Sequence, residues 1–398
     1  MIERALFKYT DNSFLVGIGC EAELVVDAGL NWQELDAFIS NHSGRTLFTL
    51  ISYQLGLTLL DVPHTPGQLP LLRVWLPEST YLFEGGKAYE LEGKHSDLHH
   101  QLAEQLFLER TDPNPLCWNA HISKENYLER VNKVQQHIQL GDVYELNFCQ
   151  LIASEPLDIP SIQPYFRTLW ERNPTPFAAM AENAHWMFAS ASPERFIRKQ
   201  GNTLISQPIK GTAPRSTTAT EDEQNRNSLQ ASAKERAENI MIVDLVRNDL
   251  SRIAAKGSVK VDELCKIYTF PTVHQMISTV SCELKEQTSL SDILKATFPM
   301  GSMTGAPKKA AVELSEHLEG FSREFYSGSF GVILPNGDFD LNVLIRTLVY
   351  YNETKRFTCG VGGAITMLSD PEAEYEECKV KVKDRKSTRL NSSHVALS

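Results

Sequence analysis

Two pairs of acids in the chain share one spacing. Glu235 and Glu238 stand three residues apart in Glu235-Arg-Ala-Glu238, and Glu374 and Glu377 repeat the interval in Asp370-Pro-Glu-Ala-Glu-Tyr-Glu-Glu377. On a helix each pair occupies one face. Carboxylates from two helices that meet make a hard oxygen site of the kind that holds Mg²⁺ with water and substrate. The spacing alone equally describes two solvated helix faces. Lys210 sits in Ser206-Gln-Pro-Ile-Lys-Gly-Thr212, between an apolar residue and a glycine. A lysine is a nucleophile only when desolvation or a neighbouring cation exposes its neutral amine, and otherwise it is a surface charge beside a turn. Glu194, in Ala191-Ser-Pro-Glu-Arg-Phe196, follows an apolar run. A carboxyl at a strand end becomes a general acid if burial raises its pKa, and is an ordinary turn residue if not. His274, in Phe270-Pro-Thr-Val-His-Gln-Met276, has both a catalytic and a packed-core reading.

Two glycine-rich stretches invite comparison with nucleotide-binding loops. Gly301-Ser-Met-Thr-Gly-Ala-Pro-Lys308 lacks the spacing of a P-loop, and Gly360-Val-Gly-Gly-Ala-Ile365 breaks the dinucleotide fingerprint at its last glycine. Both still offer backbone N–H groups to a carboxylate, since glycine lets a ligand approach the main chain. Pro307 suits the start of a helix running through Leu318, which would aim a helix N-terminus at an anion.

These residues need a frame of mixed elements. Ser123-Lys-Glu-Asn-Tyr127 opens an amphipathic helix in which Tyr127, Val131, Val134 and Ile138 recur at helical spacing until Gly141. The longest helix is expected from about Ser228 to Ile253, with an apolar stripe of Leu229, Ala233, Ala237, Ile240, Met241, Leu245 and Leu250. Strands are expected at Phe14–Ile18, Leu47–Ile51, Val143–Ile152, Trp186–Ser190, Phe330–Leu334, Leu344–Tyr351 and Phe357–Met367, with an Asn336-Gly337 hairpin turn. Strands and helices without strict alternation predict an α+β fold. Residues 1–110 form an N-terminal region, Thr111-Asp-Pro-Asn-Pro115 reads as a linker, and 122–383 form the main unit. Residues 384–398, Ser-rich and basic, read as a disordered or foreign tail.

The 398 residues carry a net charge of −11 with 42% apolar side chains, the balance of a globular protein and not of one built to grip nucleic acid or an anionic membrane. No apolar run is long enough to span a bilayer, and the N-terminus, MIERALFKYTDNSF, has no signal-peptide pattern. Seven scattered cysteines without a C-x-x-C pair suggest reduced thiols, so a cytoplasmic location is expected.

Taken together, several long motifs resemble one family in order. They are Pro208-Ile-Lys-Gly-Thr-Ala-Pro-Arg215, Glu235 through Leu250, Phe298 through Lys308, Ile345-Arg-Thr347 and Asp370 through Cys378. The pattern is similar to that of the chorismate-binding enzymes, which include anthranilate synthase component I, aminodeoxychorismate synthase component I and the isochorismate and salicylate synthases. The resemblance implies one large α+β unit with two facing antiparallel sheets, outer helices and an active site between layers. It implies Mg²⁺ held by Glu235, Glu238, Glu374 and Glu377, and substrate carboxylates held by Arg346, Tyr326 and Lys381 with Ser302, Gly362 and Gly363. It makes Glu194 the acid that assists departure of the 4-hydroxyl, with His274 near the ring.

Within the family, alanine is usual at position 210 in anthranilate synthases and lysine in aminodeoxychorismate synthases. Lys210 therefore implies amination of chorismate at C4 through a covalent lysine intermediate, toward 4-aminobenzoate and folate, with nearby Mg²⁺ helping to keep the lysine neutral. Glu145, in Val143-Tyr-Glu-Leu-Asn147, replaces the water-activating lysine of isochorismate and salicylate synthases, although many ammonia-using relatives have glutamine there. It is expected to handle ammonia. No cysteine lies in a G-x-C-x-G context, so a separate glutamine amidotransferase partner is expected to supply that ammonia. The alternatives are anthranilate synthase component I and a non-catalytic regulator that binds chorismate or an amino acid.

Overall fold

A computed structural model describes residues 2–108 and 111–383. The expected tail at 384–398 lies outside the described residues. Two large sheets face each other, and every strand pairing within them is antiparallel. Among the described residues one sheet has eleven strands. It runs Gly305–Ala306, Glu145–Ser154, Arg356–Ile365, Thr347–Tyr351, Trp186–Ser192, Phe177–Glu182, Arg4–Thr10, Ser13–Ile18, Ser79–Glu84 and Lys87–Gly93, with Trp118–Ala120 also on Glu145–Ser154. The other has ten. It begins Ile209–Pro214, Val273–Glu283, Thr203–Gln207, Arg195–Gln200, Phe339–Asn342 and Ser329–Ile333, then continues through Leu47–Ile51, Leu72–Leu76 and Ala22–Val26. Lys260–Thr269 also pairs with Val273–Glu283.

Alternation along the strands builds the layers. Phe7 and Leu15 point between the sheets to join Phe48, Leu50, Trp75, Phe188, Phe330 and Val349. Their neighbours Leu6 and Val16 point outward to the helix-covered side, with Tyr127, Val131 and Phe166. The far face of the second sheet packs Ile242, Val243, Val246 and Leu250 against Phe196, Leu204 and Val280. The α+β expectation holds. Residues 1–110 are not a separate layer, because their strands enter both sheets.

The helix opening at Ser123 forms as expected. The Ser123 hydroxyl accepts from the Asn126 N–H, Tyr127, Val131 and Val134 are buried, and Gly141 ends it in a left-handed conformation. The single long helix of 228–253 is instead two, Ala219–Ala231 and Ala233–Ser251. Ser232 ends the first and caps the second, its hydroxyl accepting from the Glu235 N–H. The buried stripe of the second helix is also differently phased. It contains Glu238, Asn239, Ile242, Val243, Val246, Asp249 and Leu250, while Ile240 is exposed. Three polar residues lie on the buried face, so hydrophobicity alone misplaces it.

Candidate active site

Lys210 belongs to the Ile209–Pro214 strand of one sheet, and Glu145 begins the Glu145–Ser154 strand of the other. The pairing of Ile209–Pro214 with Val273–Glu283 shifts register between Ile209 and Thr212, so Lys210 and Gly211 occupy an irregularity in the ladder. Such bulges re-aim side chains beside active sites. Gly211 takes φ +90°, and a Cβ there would come within 2.9 Å of Glu235 Oε2. Glycine after the lysine is thus required both by backbone conformation and by the approach of an acid-bearing helix.

Lys210 Nζ donates to Glu145 Oε1 at 2.9 Å, with the Glu145 side chain buried and that of Lys210 11% exposed. Burial opposes the lysine's charge, but Glu145, together with Glu238 and Glu194, more than offsets it and holds the ammonium above the ordinary lysine range. These neighbouring acids favour the ammonium form of Lys210. Glu145 Oε2 is buried without a hydrogen-bond partner.

Glu194 lies between the Trp186–Ser192 and Arg195–Gln200 strands and is 4% exposed. Burial raises its carboxyl to about 7, against opposing hydrogen bonds from Ser302 and the Ile209 backbone and the charge of Lys210. That value suits a general acid at neutral pH. Ser302 belongs to the short turn Gly301–Met303, and with Glu194, Pro208, Val246 and Met300 it lines a small cavity.

The paired acids lie on two helices, Ala233–Ser251 and Pro371–Lys383. Lys234 lies 3.9 Å from Glu238 and 4.0 Å from Glu374, so the helices bring these two carboxylates to one cation. Burial pushes Glu238 to about 7 and raises Glu374. Glu238 Oε1 is buried and unpartnered. Glu377 differs, being half exposed and paired with Lys381 Nζ at 2.6 Å. Among the described residues no three His, Cys, Asp or Glu side chains converge tightly enough to ligate a metal as they stand. The Glu238 oxygen without a hydrogen bond and the buried Glu374 carboxyl, which accepts from Ser369 Oγ at 2.9 Å, nonetheless fit a divalent cation drawn between the helices, where Lys234 now supplies the positive charge.

Lys381 also donates to the Gly362 carbonyl at 2.7 Å. A Cβ on Gly362 would lie 2.3 Å from the Phe148 carbonyl oxygen, and one on Gly363 would lie 3.1 Å from Glu374 Oε2. Tyr326 is buried, and the Cys149 thiol contacts its hydroxyl at 3.6 Å. Its ring lies against Gly360, so Tyr326, the glycine strand, Lys381 and Glu374 form one neighbourhood. Arg346 takes φ +52°, unusual for a non-glycine residue, just before the Thr347–Tyr351 strand, and its carbonyl accepts from the Ala191 N–H at 3.1 Å. His274 is engaged elsewhere. Its ring nitrogens lie 2.9 Å from Thr269 Oγ1 and 3.1 Å from Asp222 Oδ1, and Asp222 is itself paired with Arg215.

Two buried ion pairs that position the site escape the motif reading. Arg323 pairs with Glu319 and donates to the Met303 and Asn147 carbonyls, both at 2.8 Å, while Glu319 accepts from the Cys149 N–H. The start of the Glu145 strand is thereby clamped to the Ser302 turn. Lys308 reaches Asp249 at 2.6 Å and the Pro299 carbonyl at 2.8 Å, tying the same loop to the acid-bearing helix. The Glu319–Arg323 spacing of four is their only sequence signal, and the helix ends at Glu319, before it could be read as a helical pair.

Residues 3–386 match the family described as chorismate binding enzyme. Aminodeoxychorismate synthase component 1 of Escherichia coli is 40% identical over 265 residues, covering 67% of this chain and 58% of that protein. The chloroplastic aminodeoxychorismate synthase of Arabidopsis thaliana is 42% identical over 269 residues, covering 66% of this chain and 28% of its own length. The match thus spans less than two thirds of either relative. The crystal structure of anthranilate synthase component I from Streptococcus pneumoniae superposes with a TM-score of 0.80 at 24% identity, over 94% of this chain and 92% of that one, which establishes the shared fold. With its motifs in order on that fold, the chain belongs to the chorismate-binding enzyme family.

Proposed function

We propose that the protein aminates chorismate at C4 to give 4-amino-4-deoxychorismate, as its relatives' names describe. The observation that carries the reading is Lys210, part-buried at the junction of the two sheets beside Glu194 and Glu145. A lysine in that place supplies a covalent route that an alanine would not.

The ring carboxylate lies against Glu235, Glu238, Glu374 and Glu377, which would hold Mg²⁺; when bound, the ion supplies Lewis-acid charge to that carboxylate. Arg346, Tyr326, Lys381 and the backbone around Gly362 and Gly363 hold the substrate's carboxylates, with Ser302 beside the ring. His274, held by Asp222 and Thr269, is the histidine near the ring. Neutral Lys210 attacks C2 while the C4–O bond breaks, and Glu194 gives its proton to the departing hydroxyl, which leaves as water. The lysine is then a secondary ammonium bonded to C2. Ammonia attacks C4, the C2–N bond breaks, and Lys210 leaves as a neutral amine. The new C4 ammonium returns a proton to Glu194, so the acid is restored. Each displacement is easier than one direct substitution of hydroxide.

A separate glutamine amidotransferase supplies the ammonia, with ammonium salts as a substitute, and the reaction takes place in the cytoplasm. No helix among the described residues is long and apolar enough to cross a membrane. Incubation with chorismate, Mg²⁺ and ammonium, followed by mass spectrometry, tests the reading. Aminodeoxychorismate without pyruvate release is the expected result. Anthranilate with pyruvate would replace the reading with the anthranilate synthase alternative, and release of glutamate from glutamine by the chain alone would overturn the separate partner.

A further inference from the structure

Lys210 Nζ donates to Glu145 Oε1 at 2.9 Å in the cleft, and a protonated amine has no lone pair with which to attack carbon. Its proton must reach a neighbouring group before a C–N bond forms. The acids around it are Glu145, Glu194 and Glu238. Glu194 enters the reaction already holding the proton that the leaving hydroxyl needs. Glu238 belongs to the metal-facing helix and makes no hydrogen bond to Lys210 among those of the described residues. Glu145 already accepts from Nζ at 2.9 Å.

The geometry of Glu145 makes it the direct acceptor. Its side chain is 1% exposed, and Oε2 has no hydrogen-bond partner. Moving a proton 2.9 Å along this existing bond needs no rearrangement and leaves the total charge of the pair unchanged. Cations nearby do not oppose this. On the loop and helix packed against the Glu145 strand, Lys308 is paired with Asp249 and Arg323 with Glu319. From the other side the pair faces Glu238 and Glu194.

We propose that Glu145 is the proton acceptor of Lys210, converting an ammonium–carboxylate pair into an amine–carboxylic acid pair of the same total charge. This rests on the amination reading above. The proton passes from Nζ to Oε1, the freed lone pair forms the C2–N bond, and Glu145 keeps the proton through both displacements. When Lys210 leaves as a neutral amine, Glu145 returns the proton to it. The reactive lysine is therefore reached without releasing a proton to solvent.

Glu145→Gln keeps the size and one accepting oxygen but cannot take the proton. Cyanate, a small reagent that carbamylates only neutral amines, reports the state of Lys210 when the modified peptide is quantified by mass spectrometry across pH. In Glu145→Gln the Lys210 labelling midpoint should fall by about one pH unit or more, a roughly tenfold gain in labelling rate at a fixed pH below both midpoints. In the same variant kcat/KM for chorismate with ammonium should acquire an acid limb at that midpoint, falling about tenfold per pH unit, which wild type and Glu145→Asp lack. An unchanged labelling midpoint, or a kcat/KM profile that superposes on wild type, overturns the proposal. A wild-type chain that makes no aminodeoxychorismate sinks the functional reading, and with it the catalytic use of the proton. An unchanged midpoint in an active enzyme sinks only the role of Glu145.

Discussion

Lys210 Nζ and Glu145 Oε1 lie 2.9 Å apart although their residues are 65 positions apart and belong to different sheets. The ion pair closes the junction at which the Ile209–Pro214 strand of one sheet meets the Glu145–Ser154 strand of the other. It sets the charge of the one side chain best placed to act as a nucleophile. Replacing Lys210 with alanine removes that side chain and leaves Glu145 without a partner. Aminodeoxychorismate formation should fall by roughly 10⁴-fold, the scale of removing a reacting side chain. Mass spectrometry of the products checks this, and unchanged turnover would exclude the lysine mechanism.

Glu194 must hold a proton to serve as an acid, and burial places its carboxyl at about 7. The acid form is therefore lost as pH rises through that value, so kcat/KM should show a descending basic limb near neutrality. Glu194→Gln should lower kcat by about 10²-fold or more and remove this limb. A pH–rate profile of both proteins decides the matter.

Glu238 pays for its place in the site with stability. Its folded-state pKa of about 7, raised first by burial, exceeds the ordinary carboxylate value. The folded protein thus holds the proton more tightly than the unfolded chain. That contribution is whole below the ordinary carboxylate range and is lost as pH rises through about 7. In EDTA at pH 8, Glu238→Gln should be the more stable protein by on the order of 1–3 kcal/mol, read as a higher Tm by calorimetry. The same substitution should weaken Mg²⁺ binding at least tenfold by titration, because it removes a charged oxygen donor.

Arg323→Met leaves Glu319 buried and uncompensated while releasing the Met303 and Asn147 carbonyls. Loss of one partner from such a pair costs about 3–5 kcal/mol. Denaturant unfolding should show that loss. A smaller effect would mean that the loop and strand hold each other without the clamp.

Gly362→Ala would place a methyl group 2.3 Å from the Phe148 carbonyl oxygen in the adjacent strand. The backbone must shift, at a cost of about 1–3 kcal/mol by comparison with overpacked cores. The displaced Gly362 carbonyl would also disturb Lys381. The variant should melt lower and bind chorismate more weakly, the first seen by calorimetry and the second by equilibrium titration.

Much of this was legible in the chain itself. Periodicity and capping placed the Lys124–Leu140 helix, because its apolar residues and its terminal serine and glycine obey local rules. Motif order identified the family, and the shared interval of Glu235–Glu238 and Glu374–Glu377 marked two acid-bearing helices. Periodicity failed on Ala233–Ser251, where the polar Glu238, Asn239 and Asp249 lie on the buried face. Tertiary structure alone decided what each charge means. Only the meeting of the sheets puts Glu145 against Lys210, where it offsets the effect of burial on the lysine's charge, and turns Glu194 into an acid near neutrality. Sequence specifies side chains and local turns, whereas a pKa depends on burial and on neighbours that the folded chain brings from far away.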